Sequence, residues 1–94
     1  MTGRKPVPAK APGLRPDPHD PAAMDAAFAG LNSREWDVLE LLSEGLDDNA
    51  IAARLGIGHQ TVRSHATSLF GKIGATSRLH ALVLAVRNRK VTIR

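Results

Sequence analysis

From Leu31 onward the apolar positions recur at three- and four-residue intervals, interrupted by glycines and by small polar residues suited to helix starts. The clearest start is Leu31-Asn32-Ser33-Arg34-Glu35-Trp36. There a capping Asn stands three residues before a Glu that can reach back to it, and Leu31 and Trp36 bracket the cap as a hydrophobic staple. The helix that follows carries Leu39, Leu42 and Leu46 with Val38 and Leu41 beside them, and Gly45 marks its end. Asp47 is expected to cap a shorter helix with Ile51, Ala52 and Leu55 facing inward, stopped by Gly56. A Gly56-Ile57-Gly58 turn then leads into a third helix from about His59 to Ile73, closed by Gly74. Ser77 caps a fourth, from Arg78 to about Asn88. Upstream, Asp20, Pro21 and Gly30 outline a lead-in helix containing Met24 and Phe28. No segment alternates with period two, so the fold class expected is all-α, four helices behind a lead-in.

All six prolines lie between positions 6 and 21, a stretch with little to bury. Residues 1–20 therefore read as a disordered Pro-rich tail or linker, either a spacer or a basic arm reaching DNA phosphates through Arg4 and Lys5. Residues 21–94 read as one domain, and 94 residues leave no room for a separate sensor. Without cysteine, disulfides and thiolate chemistry are excluded. No apolar run is long enough to cross a bilayer and the tail lacks a signal peptide's apolar stretch, so no membrane association and a cytoplasmic location are expected. The net charge of +4 hides a strong asymmetry. Between residues 25 and 48, Arg34 stands alone against Asp25, Glu35, Asp37, Glu40, Glu44, Asp47 and Asp48. From residue 49 onward come Arg54, Arg63, Lys72, Arg78, Arg87, Arg89, Lys90 and Arg94 with no acidic residue. A basic half of this kind is the electrostatic footprint of a nucleic-acid binder, although a solvated face can produce it too.

Two short helices joined at a glycine form a helix-turn-helix pattern, and its steric demands are met. Ala52 is small where the helices cross, Gly56 can take the left-handed turn, and Val62 fills the wedge. On the third helix Val62, Ala66, Leu69 and Ile73, with His65 alongside, form a core stripe. Gln60, Arg63, Ser64, Thr67 and Gly71 form the opposite row, free of acidic side chains and suited to a major groove. Arg63 is the candidate for a bidentate guanine contact. The fourth helix is apolar over two stripes, Leu79, Leu82, Val83 and Val86 on one and Ala81, Leu84 and Ala85 on the other. One can pack inward; the second, assigned to Ala81, Leu84 and Ala85, is expected to meet another subunit, a single better-buried core being the alternative.

The stretch from Leu31 to about Ala85 resembles the LuxR-type (GerE-type) DNA-binding domain. The resemblance rests on LNSRE, LL-x-x-GL, IA-x-x-L-x-I, TVRSH, KIGA and SR-x-x-A as linked motifs. It implies a four-helix domain whose third helix reads the major groove and whose fourth supports a homodimer. By position it places base reading on Arg63, Ser64 and Thr67, and backbone contact on Thr61 and Lys72, beside Gln60 from the outward row. Departures are informative. Asp47-Asp48-Asn49-Ala50 stands where the family usually has Ser-Asn-Lys-Glu, which removes a basic residue near phosphate and adds two carboxylates, so weaker affinity is expected. Ala50 also removes a Glu that could hold Arg78, leaving that arginine's partner open. Gly58 replaces the usual capping Ser at a few tenths of a kcal/mol, and Gly71 lowers helix propensity by about 1 kcal/mol relative to Ala.

Catalysis is not expected: His19, His59, His65 and His80 have no carboxylate or nucleophile at suggestive spacing, and His59 and His65, six residues apart, do not share a helix face for a metal. No cofactor is implied. The function expected is sequence-specific binding of double-stranded DNA as a bacterial transcriptional regulator. The alternative is a protein-binding helix-turn-helix module that contacts RNA polymerase or another regulator through its acidic first helix. Met1 and the lack of room for a receiver lean toward a complete small regulator over the output segment of a longer one.

Overall fold

The computed structural model describes residues 15–92, and most of the expected tail lies outside them. Five helices follow one another: α1 (Pro21–Ala29), α2 (Ser33–Ser43), α3 (Asp48–Leu55), α4 (His59–Ile73) and α5 (Arg78–Arg87). The lead-in helix is thus a full member of the fold. No strand occurs among the described residues.

Local chemistry accounts for the starts. Asp20 accepts from the Ala22 amide at 3.0 Å with Pro21 in the first turn of α1. At α2 the capping box closes in both directions, the Glu35 amide donating to Asn32 Oδ1 at 2.8 Å and the Asn32 amide to Glu35 Oε1 at 2.9 Å. Asp47 caps α3 through the Ala50 amide at 2.9 Å, and Ser77 caps α5 through the His80 amide at 3.0 Å. Gly58 starts α4 with no side-chain cap.

The ends depend on two glycines in the left-handed region, which L-residues with a Cβ enter at a steric cost. Gly45 has φ +87° just past α2. Its amide donates to Leu42 O and the Leu46 amide to Leu41 O, the paired bonds of a Schellman motif. Leu46 therefore lies beyond the helix, half-buried, instead of continuing its stripe as the spacing suggested. Gly56, at φ +67°, ends α3 and redirects the chain into α4.

Helix α4 packs against all four other helices. Its stripe of Val62, Ala66, Leu69 and Ile73 is buried together with Val38, Leu39 and Leu42 of α2, Ile51 of α3 and Met24 and Phe28 of α1. The two flanks of the chain close over one end of this core. Phe28 stacks at a tilt 6.1 Å from Trp36, and Lys90 Nζ lies 5.9 Å over the Phe28 ring and 3.0 Å from Asp25 Oδ1. Arg15 and Pro16, inside the expected tail, press on the turn at Gly74, where an added Cβ would lie 3.2 Å from Arg15 Cβ.

Candidate nucleic-acid interface

The site is built from α3, the Gly56 turn and α4. Ile51 and Val62 are fully buried and Ala52 nearly so. The packing between α3 and α4 thus rests on the residues that the helix-turn-helix spacing singled out. That packing turns the opposite face of α4 outward. Gln60, Thr61, Arg63, Ser64 and Thr67 are all exposed. Gln60, Arg63, Ser64, Thr67 and Ser68 line one shallow concavity along the helix. No side-chain hydrogen bond or ion pair among the described residues engages Gln60, Arg63, Ser64 or Thr67. His65 is half-buried on the flank.

Lys72 stands differently. Its ammonium donates to Glu35 Oε1 at 2.8 Å and to Gly30 O at 3.1 Å. The sequence reading, which gave Lys72 to phosphate, saw Glu35 only as the capping-box acid. In the structure Glu35 is 1% exposed and also accepts the Ser68 hydroxyl on its second oxygen. Burial alone would raise this carboxyl. The hydrogen bonds from Lys72 and Ser68, the Asn32 amide and the Lys72 charge outweigh it and hold the group below the usual carboxylate range. The available signal was Ser68 and Lys72, polar residues one turn apart beside an apolar stripe.

Arg78, whose partner the sequence left open, donates to Asp48 Oδ1 at 2.8 Å. One of the two departing carboxylates thus replaces the missing Glu as the anchor of α5 on α3. Arg54 approaches Glu44 at 3.8 Å and Lys90 pairs with Asp25. Four cations of the basic half, Arg54, Lys72, Arg78 and Lys90, are therefore joined to the acidic segment. Arg63, Arg87 and Arg89 have no such partner among the described residues.

The assignment of Ala81, Leu84 and Ala85 to a dimer contact is overturned. They are 0%, 2% and 0% exposed and belong to the core. Of the other stripe Leu79, Val83 and Val86 face out, 71%, 41% and 40% exposed, while Leu82 is half-buried against the core. Ala81 and Ala85 bring α5 close to its neighbours, with Leu84 filling the core between them. Among the described residues no three His, Asp or Glu side chains gather as metal ligands, and no single helix is long and apolar enough to cross a membrane.

A buried-wedge helix pair presenting an unengaged polar and cationic row on its second helix defines a helix-turn-helix DNA-binding domain. The chain belongs to the family described as "Bacterial regulatory proteins, luxR family" (GerE), whose sequence pattern matches residues 29–85; it is a family of regulators and not of enzymes. It is 40% identical over 63 residues to the transcriptional regulatory protein YdfI of Bacillus subtilis (strain 168), covering 67% of this chain and 30% of that protein. It is 39% identical over 67 residues to the nitrate/nitrite response regulator protein NarP of Escherichia coli (strain K12), covering 71% and 31%. A putative HTH-type transcriptional regulator of Aeromonas salmonicida is 54% identical over 48 residues, 51% of this chain and 24% of that one. The chain thus spans less than a third of the length of these relatives.

Proposed function

We propose that this chain binds double-stranded DNA sequence-specifically as a transcriptional regulator, with α4 in the major groove. The observation that carries this reading is the exposed, unengaged row of Gln60, Arg63, Ser64 and Thr67 on a helix whose opposite stripe is buried. Arg63 offers a planar donor pair to guanine, and Ser64 and Thr67 reach neighbouring base edges. Gln60 and Thr61, beside the α4 start that no side chain caps, offer donors to phosphate. The domain acts as a homodimer through the outward stripe of α5, Leu79, Val83 and Val86, on half-sites about one helical turn apart. A chromosomal site places the protein in the cytoplasm.

Selection of binding sites from random duplexes, followed by titration against the selected and a scrambled duplex, tests the reading. Enrichment of one motif and a saturable, sequence-dependent shift are expected. No enrichment, with no saturable shift on any duplex, would remove DNA as the partner and leave a protein contact such as RNA polymerase.

A further inference from the structure

We propose that Glu35 is a positioning residue for base reading: through Ser68 and Lys72 it fixes the rotation of α4 about its own axis. The inference rests on α4 being the reading helix. The buried stripe of Val62, Ala66, Leu69 and Ile73 turns one face of α4 inward through non-directional apolar contact. Hydrogen bonds are directional. Ser68 and Lys72 are one turn apart on α4, on the flank between the buried stripe and the reading row, Ser68 being the next residue after Thr67. Both donate to one carboxylate, Ser68 to Oε2 and Lys72 to Oε1.

That carboxylate is itself immobilised. Oε1 also accepts the Asn32 amide, so the same side chain that grips α4 closes the capping box of α2. It is almost fully buried. Lys72 adds a second tie, to Gly30 O at the end of α1. Rotation of α4 is therefore referred to the start of α2 and the end of α1. The tolerance is small: a turn of about 20° displaces an atom about 6 Å from a helix axis by about 2 Å. Contacts to base edges tolerate much less, while phosphate contacts through long flexible side chains adapt.

This role differs in sign from the alternative in which Lys72 simply contacts phosphate. In that case Lys72→Met would weaken selected and scrambled duplexes alike and flatten the salt slope by about one, and Glu35→Gln, by releasing the ammonium, would tighten both. Positioning instead requires the ratio of selected to scrambled affinity to fall in Glu35→Gln, Lys72→Met and Ser68→Ala, by about three- to tenfold, a part of one good base contact. Ser68→Ala carries the most weight, because it removes one hydroxyl from an exposed helical position and puts a good helix former there. Ser68→Thr, which keeps the hydroxyl, should retain most of the discrimination.

The experiment measures both affinities at two salt concentrations for the full chain and the four variants, each shown folded by circular dichroism at the assay temperature. A ratio that falls in the three variants and is retained by Ser68→Thr supports the inference. A wild-type ratio well above one that persists unchanged in Ser68→Ala and Lys72→Met overturns it while leaving the DNA reading intact. A wild-type chain that prefers no duplex overturns both.

Discussion

Arg63 is one cation on an otherwise neutral reading row, and its value depends on how few alternatives it has within the chain. With no intramolecular partner among the described residues, it would meet a base edge in the proposed complex without breaking an existing contact. Arg63→Ala should weaken the selected site by about 1–3 kcal/mol and relax preference at one base position. Competition titrations with single-base variants of the site check this; a uniform loss would make Arg63 a phosphate contact. Asp48 is the second informative position. Read from sequence, it is a repulsive carboxylate near phosphate; in the structure it also holds Arg78. Asp48→Asn should tighten binding at low salt on both counts, at a stability loss of at most about 1 kcal/mol because the pair is partly exposed. Asp47→Asn should gain less, since it frees no arginine and keeps the cap. Isotherms across salt concentrations decide, and weaker binding by Asp48→Asn would mean that Arg78 must stay fixed. The caps at Asn32, Asp47 and Ser77 were legible because their chemistry is written within three residues. The Asp48–Arg78 pair was not, because nothing local joins positions 30 apart.

At the scale of the element, α5 shows where pattern reading fails. Two apolar stripes are visible in its sequence, but which faces in depends on how near its neighbours lie. The choice of Ala81, Leu84 and Ala85 as the outward set was wrong for that reason: they face α2 and α4 and are buried. By contrast α4 presented one apolar and one polar face, and its orientation and boundaries were readable. The structure separates two variants on α5. Leu84→Ala should destabilise by about 2–5 kcal/mol, seen as a lower melting temperature. Val83→Glu should leave helical circular dichroism and melting nearly unchanged while lowering affinity and cooperativity on a two-half-site duplex. Full cooperativity in Val83→Glu would place the subunit contact elsewhere.

For the whole molecule, linear blocks of charge overstated the free positive surface. The acidic segment and the basic half are largely partners of each other, across separations that sequence order hides. Acid sensitivity follows from the most buried of these pairs. The carboxyl of Glu35 is depressed in the folded state below its ordinary value of 4.5. Its contribution to stability is therefore complete above that ordinary value and is lost as pH falls through the lower folded value. Denaturant midpoints measured from pH 7 downward should be flat near neutrality and drop below that point, with a shallower drop in Glu35→Gln. Equal slopes for the two proteins would assign acid unfolding to other carboxylates. The fold, the turn and the outward face of α4 were legible in the sequence, but this central acid was not, because capping already explained it.

The meeting of the two chain flanks has a practical side. The family pattern spans residues 29–85, but Met24 and Phe28 before it are buried, and Lys90 after it bridges back to Asp25 and Phe28. A chimeric regulator made by grafting only the matched segment onto another sensor would strip Met24 and Phe28 from one end of the core and break the Lys90–Asp25 tie. The transplantable unit is longer at both ends, taking in α1 with its Asp20 cap on one side and Lys90 and Val91 on the other, and a fusion joint belongs upstream of the turn that leads into α1.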